Sequence, residues 1–408
     1  MKLSDYVIDF FARKKINQIF TVSGGGSIFL CDSLQRSKTV QYISCHHEQA
    51  VSFAAEGYAR QVDGPACGIV TTGPGGTNAI TGVASCWIDS VPSIFISGQV
   101  FLNQTIKKTG LRQLGVQEID IISLVKPITK YAYMIKGSEE IRYELEKAYH
   151  IATTDRPGPV WIDIPADIQN SNIDIKNIKS FKVIKKRKNY STLDKKIKDI
   201  AKKVINSKKP LFHFGHGVKL STAEKEVYKF ISNHEVPFTL TWNSSDLIES
   251  SNKFNMGRPG AFAERGSNFI VQNCDILISV GSRLPFMVTG YNSKDFARNA
   301  IRVTVDIDAH EVNKKTIDFQ YRLACDANYF LKKLSLYLKN YKNKNKSWLN
   351  YCTYIRKKYP IVLKDYKKNK KYVNSYYFVD ELSKILPNAS TVVTDMGLSF
   401  VGTHQTFR

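Results

Sequence analysis

From the N-terminus onward, short apolar runs recur between stretches whose apolar positions fall three or four apart. Residues 18–22, 40–44, 66–71, 93–97, 130–135 and 160–164 have strand length and are rich in Ile, Val, Phe and Tyr. Residues 4–15, 49–61, 79–87 and 139–152 carry helical spacing. Strands alternating with helices predict an α/β protein of parallel sheets covered by helices, since a parallel pair needs a crossover long enough to hold a helix.

Glycine disappears and lysine accumulates over residues 171–192, which predicts a linker closing a first domain of residues 1–170. A second α/β unit, residues 193–340, repeats the pattern. It has a helix at 194–205, a strand at 211–214, the turn Gly215-His216-Gly217, a helix at 222–233, a strand at 238–241, and strands within 274–283 and 301–308. Lysine-rich residues 341–372 read as a second linker. A helix at 375–386 and a strand at 390–394 then open an incomplete third unit, residues 373–408.

With 408 residues and 43% apolar content, the chain is long enough for more than one core. It lacks an apolar run of membrane-spanning length, and Met1-Lys2-Leu3-Ser4-Asp5 lacks a signal-peptide core, which predicts a cytoplasmic protein with no membrane partner. The net charge of +23 raises nucleic acid as a partner. The densest basic runs, Lys185-Lys186-Arg187-Lys188 and Lys367-Lys368-Asn369-Lys370-Lys371, lack the aromatic interleaving of a single-strand binder, so a solvated lysine surface and no nucleic acid are predicted. The seven cysteines form no Cys-x-x-Cys pair and the eight histidines show no ligand spacing; neither a disulfide framework nor a metal site is assigned.

Two places carry candidate chemistry. Glu48, in His46-His47-Glu48-Gln49-Ala50, lies between an apolar strand and an apolar helix, where a carboxyl can be buried and hold a proton; the alternative is a first-turn acid that stabilises the helix dipole. Thr72-Gly73-Pro74-Gly75-Gly76-Thr77-Asn78 follows the next strand. Such a glycine turn lets backbone N–H groups approach a flat or anionic ligand, or is a tight strand-to-helix turn capped by Asn78.

These segments stand in an ordered set: Ser23-Gly24-Gly25-Gly26, His47-Glu48-Gln49-Ala50, Thr72-Gly73-Pro74-Gly75 with Asn78, Asp89-Ser90-Val91-Pro92, Ser97-Gly98-Gln99-Val100, Gln117-Glu118 and Arg156-Pro157-Gly158-Pro159-Val160. In order and spacing the set resembles the acetolactate synthase group of thiamine diphosphate enzymes, from about the first residue to the last. The resemblance implies a pyrimidine-binding domain, a central nucleotide-binding-like domain and the start of a pyrophosphate-binding domain, in a homodimer or homotetramer. It implies Glu48 as the proton partner of the cofactor's pyrimidine, Gly25 beside the imino group, and Gln117 facing the bound intermediate. Gly24, Thr72, Gly73, Pro74, Gly75 and Asn78 would line the pyrimidine, and Gly397, Leu398 and Ser399 would open the diphosphate site. The implied reaction removes carbon dioxide from a 2-oxo acid and joins the remaining fragment to a carbonyl acceptor.

Arg156, Gly215, Gly217, Thr241, Gly281, Arg283, Asp306 and Asp326 fall where flavin-binding members hold FAD; other members bind ADP or nothing there, and Gly215-His216-Gly217 also reads as a plain βα turn. No Gly-x-Gly-x-x-Gly with a following acid supports a nicotinamide dehydrogenase. The acceptor-carboxylate arginine of the group is matched by Met287, the preceding acids by Leu284-Pro285-Phe286, a lysine by Ala166 and a pocket aromatic by Val116. These departures point away from acetolactate formation, and the run Gly281-Ser282-Arg283-Leu284 with Thr289-Gly290-Tyr291-Asn292 resembles relatives of surface-polysaccharide pathways, some of which use a keto-sugar nucleotide as acceptor. Acetolactate synthesis proper and a noncatalytic or split-enzyme subunit are the alternatives. The group's Gly-Asp-Gly segment and its downstream asparagine are absent from residues 1–408, so Mg2+ is expected from a missing domain or a partner; a truncated sequence is the favoured explanation.

Overall fold

The computed structural model describes residues 1–62, 64–106, 109–183, 190–368 and 371–408. The basic run Lys185-Lys186-Arg187-Lys188 lies outside the described residues, as do Asn369 and Lys370 of the second run. The chain divides into two units, Met1–Lys186 and Arg187–Arg408. Among the described residues, no helix is long and apolar enough to cross a membrane.

The first unit runs α1 (Leu3–Arg13), β1 (Gln18–Thr21), α2 (Ile28–Arg36), β2 (Gln41–Ser44), α3 (Glu48–Gln61), β3 (Ala66–Val70), α4 (Pro74–Asp89), β4 (Ser93–Gln99), α5 (Ile121–Val125), β5 (Tyr131–Met134), α6 (Ile141–Thr153), β6 (Pro159–Pro165) and α7 (Ala166–Gln169). Its six strands stand in the order β2-β1-β3-β4-β6-β5, all parallel. Strands β3, β4 and β6 are buried along their whole length, as a sheet covered on both faces requires. One face packs Leu3, Val7 and Phe11 of α1 with Ile141 and Leu145 of α6; the other packs Val51 and Ala55 of α3 with Val83 of α4, Phe95 and Trp161.

All six predicted strands are present. Helix α4 starts at Pro74 rather than residue 79, because proline's fixed φ and missing N–H suit a first helical turn. Asn78 therefore lies inside the helix and does not cap it. Residues 171–173 stay on this unit, with Leu3 N donating to Ser171 O and Ile173 N to Met1 O, both at 2.9 Å.

From β1 the chain moves to β2 on one side and returns to β3 on the other. Connections leaving in opposite directions open a crevice at the carboxyl ends of β1 and β3, the preferred ligand position in parallel sheets.

The second unit holds β7 (Pro210–Phe214), β8 (Phe238–Leu240), β9 (Ile276–Val280), β10 (Ile301–Asp306) and β11 (Tyr321–Ala324), parallel in the order β11-β10-β9-β7-β8. Its core centres on Phe212, Phe214, Phe230, Phe238 and Phe330. Strand β11 was not legible as a strand, being a short half-buried edge that carries Arg322. Two expectations are corrected. Helix Lys346–Lys358 occupies the region read as a linker, because Trp348, Cys352 and Ile355 form a buried stripe among the lysines. Residues 390–394 form no strand, since a lone extended segment without a ladder partner is not stable; the helix before them, Ser375–Ile385, is present.

Candidate active site

The crevice of the first unit is built by turns in close contact. Gly26 N donates to Thr71 Oγ1 at 3.1 Å, and a Cβ on Gly24 would fall 2.6 Å from the Thr71 side chain. At Gly73, φ is +57° and an added Cβ would sit 1.9 Å from Gln117 O, so the turn after β3 demands glycine twice over. The same contact brings Gln117, distant in sequence, to this turn. Gln117 has φ +58°, a left-handed conformation that a side chain adopts only where its surroundings impose it. Gly25 is different: an added Cβ there would meet nothing within 4 Å, so this chain's own packing does not require a glycine at that position.

Glu48 is the first residue of α3. The cap is His47, whose Nδ1 accepts from Gln49 N at 3.1 Å, so Glu48 is not spent on capping. Asn78 Nδ2 donates to Glu48 Oε2 at 3.0 Å, and Glu48 Oε1 lies 3.4 Å from the Cβ position of Gly75. The structure therefore joins Glu48, Asn78 and Gly75. It corrects the expected burial: Glu48 is half-buried, because β2, which leads to it, is an edge strand exposed along its length.

Beneath the turns lies a polar network that sequence reading left unassigned. Gln99 Oε1 accepts from Thr72 Oγ1 at 2.5 Å and from Val100 N at 3.0 Å; its Nε2 donates to Ile119 O at 3.2 Å and to Asp163 Oδ2 at 3.1 Å. Ser97 Oγ donates to Asp163 Oδ1 at 2.6 Å and accepts from Trp161 Nε1 at 2.8 Å. The available signal was a lone acid inside the apolar strand β6.

Asp163 is 1% exposed, and burial pushes its carboxyl up to about 7 against the opposing bonds from Ser97 and Gln99, with the charges of Asp120 and Glu118 adding to the rise. The ordinary value is 3.8, so between these limits the folded chain holds a proton that the unfolded chain has released. Unfolding free energy from this group falls as pH rises from about 4 to about 7 and is level above. Denaturant titrations of Asp163→Asn are expected to lose that decline; an unchanged slope would assign it to other groups.

In the second unit, the turns after β7 and β9 lean on one another. Gly217 N donates to Gly281 O at 2.9 Å, and a Cβ on Gly215 would fall 2.3 Å from Gly281 O, so close backbone approach accounts for both glycines. Arg283 follows at φ +53°. Thr241 caps a short helical turn with Ser244, Asp306 Oδ1 accepts from Asp308 N at 3.0 Å, and Asp326 caps helix Ala327–Tyr337 by accepting from Tyr329 N at 3.0 Å. Arg156 belongs to the first unit, where its Nε donates to Ser90 Oγ at 2.8 Å. Gly397, at φ +86°, precedes helix Leu398–Thr406; Leu398 is exposed, and Ser399 Oγ donates to Asp395 O at 2.9 Å.

Residues 1–124 match the family model described as thiamine pyrophosphate enzyme, N-terminal TPP binding domain, and residues 197–334 match the model for the central domain. The acetolactate synthase large subunit of Cyanidium caldarium is 30% identical over 403 residues, covering 96% of this chain and 67% of the relative. The probable acetolactate synthase large subunit of Methanocaldococcus jannaschii is 32% identical over 407 residues, covering 97% and 67%. The chain belongs to the thiamine pyrophosphate enzyme family. Its place there is with the acetolactate synthase-like members. It spans about two thirds of the length of these relatives, and 62% of the isozyme 2 large subunit of Escherichia coli K12, which is 30% identical over 87% of this chain.

For a thiamine pyrophosphate enzyme, the residues present fit one end of the cofactor. A carboxylate steered by an amide donor, a bare backbone at Gly25 with open space beside it, and a proline turn suit a flat aminopyrimidine. Among the described residues, no group of three or more His, Cys, Asp or Glu assembles that could hold a metal ion.

Proposed function

We propose that the chain forms part of a thiamine diphosphate-dependent enzyme that decarboxylates a 2-oxo acid and joins the two-carbon fragment to a carbonyl acceptor. The observation carrying this reading is Glu48, held by Asn78 beside Gly75 at the switch point of the first sheet. Thiamine diphosphate, when bound, supplies an electron sink at which a 2-oxo acid can lose carbon dioxide. The chain's own residues bind and orient. Asn78 fixes one oxygen of Glu48, leaving the carboxyl placed to exchange a proton with the pyrimidine. Gly25 leaves room for the ring, the turn at Pro74 supports it, and Gln117 faces the substrate.

The acceptor reading is finer. Met287 stands where the acetolactate synthase-like pattern has an arginine, and without that cation a second 2-oxo acid would lose a charge-assisted bond worth about 1.5 to 3 kcal/mol. Val116, 80% exposed beside Gln117, and Ala166 are further departures. They favour an acceptor other than a second 2-oxo acid, and the resemblance of Gly281-Ser282-Arg283-Leu284 with Thr289-Gly290-Tyr291-Asn292 to surface-polysaccharide relatives supports a keto-sugar nucleotide. The names of the relatives favour acetolactate synthesis as the second reading. FAD in the second unit and Mg2+ from outside the described residues belong to the same proposal, as does a homo-oligomer, supported by the exposed Ile28, Phe53, Trp87 and Ile88 on α2, α3 and α4.

Labelled pyruvate, thiamine diphosphate and Mg2+ supplied to the native assembly test this directly. Label in a keto-sugar nucleotide supports the first acceptor and label in acetolactate alone supports the second. Absence of both carbon dioxide release and thiamine diphosphate binding sinks the catalytic reading. An absorbance band of flavin in the purified protein decides FAD.

A further inference from the structure

The Gln99 amide has two acceptor positions and two donors, and all four are used: Thr72 Oγ1 and Val100 N on its oxygen, Ile119 O and Asp163 Oδ2 on its nitrogen. Two of those partners are main-chain groups of fixed polarity. Val100 N can only donate and Ile119 O can only accept, so the amide has one orientation. Asp163, held from its other side by Ser97, completes it.

The partners reach both halves of the crevice. Thr72 immediately precedes Gly73, and Ile119 lies two residues after Gln117. The segment between has further ties: Ile106 N donates to Glu118 Oε1 at 3.0 Å, and Glu118 N to Gly115 O at 3.2 Å. The left-handed Gln117 needs such over-determination to persist, because nothing in its own preference favours φ +58°. Its carbonyl also sits against Gly73, so a shift of either segment displaces the other.

We propose that Asp163, acting through Gln99, is a positioning residue that locks the Thr72–Pro74 turn and the Gln117 segment into one geometry. The proposal rests on the catalytic reading above for its effect on turnover, and on the hydrogen-bond network alone for the geometry. In a buried network, removing one member leaves its partners unsatisfied, so the lock fails as a unit. Asp163→Asn is the conservative case: its carbonyl oxygen can still accept from Gln99 while its amide donates to Ser97.

In the native assembly, Asp163→Leu and Gln99→Leu are expected to lower kcat about tenfold to a hundredfold with the donor's KM changed less than about threefold, as misplacement near the reacting centre does. Asp163→Asn is expected to remain within about threefold of the parent protein, since it preserves the bond to Gln99. Thiamine diphosphate affinity should fall about tenfold in both Leu variants. Amide hydrogen exchange over residues 115–120 should rise at least about tenfold in the same two variants, with or without cofactor.

Lower thermal stability with unchanged kcat, affinity and exchange in the Leu variants would reduce Asp163 to a packing role and overturn the proposal. If both fail to fold, Thr72→Val removes a single bond of the network; unchanged exchange at residues 115–120 then overturns it as well. A parent protein that binds no thiamine diphosphate ends the catalytic reading, while the exchange measurement still decides the positioning.

Discussion

Replacing Glu48 by Gln is expected to lower turnover by about two to four orders of magnitude while leaving the fold intact, the size of effect that follows when a positioned proton-transfer group is removed. The side chain keeps its length, and its carbonyl oxygen can still accept from Asn78 Nδ2, so the contact between α3 and α4 survives. His47 continues to cap α3, so the loss at that end is limited to the carboxylate's interaction with the helix dipole, about 0.3 to 1 kcal/mol. What disappears is the ability to exchange a proton. Steady-state turnover compared with a thermal melt checks this. Near-parental turnover would return Glu48 to the role of a first-turn acid.

A second large effect separates two glycines that look alike in sequence. Gly73→Ala combines a left-handed backbone with a Cβ directed at Gln117 O, and it should destabilise the protein by about 2 to 4 kcal/mol. Gly25→Ala places its methyl in open space, and its stability should stay within about 1 kcal/mol of the parent. Thiamine diphosphate affinity should nevertheless fall about tenfold or more in Gly25→Ala, because the proposed function gives that space to the cofactor's pyrimidine. Denaturant melts and cofactor titrations together decide the matter. Equal destabilisation of both variants, or full affinity in Gly25→Ala, would remove the distinction.

The strands of both sheets were largely legible because a parallel sheet covered on both faces needs continuous apolar runs, and runs such as residues 66–71 and 93–97 are unmistakable. The pairing of Glu48 with the turn after β3 was legible only as an ordered set of motifs. The bond from Asn78, thirty positions away, depends on α3 and α4 lying side by side. The Gln99 network was hidden for the same reason: Ser97 and Asp163 meet because β4 pairs with β6, and no local pattern encodes a strand order. Misreadings arose where lysine dominated composition, as at Lys346–Lys358, whose buried stripe is only three residues deep. Residues 390–394 show the converse error, since β propensity without a neighbouring strand does not make a strand.

Strand β2 is the rim of the first sheet, with Tyr42 and Ile43 uncovered, and Glu48 follows it after a short turn. The unit's own interior therefore dictates where this carboxylate points, through α3 and Asn78, but not how dry its surroundings become. Direction and dryness are separable traits.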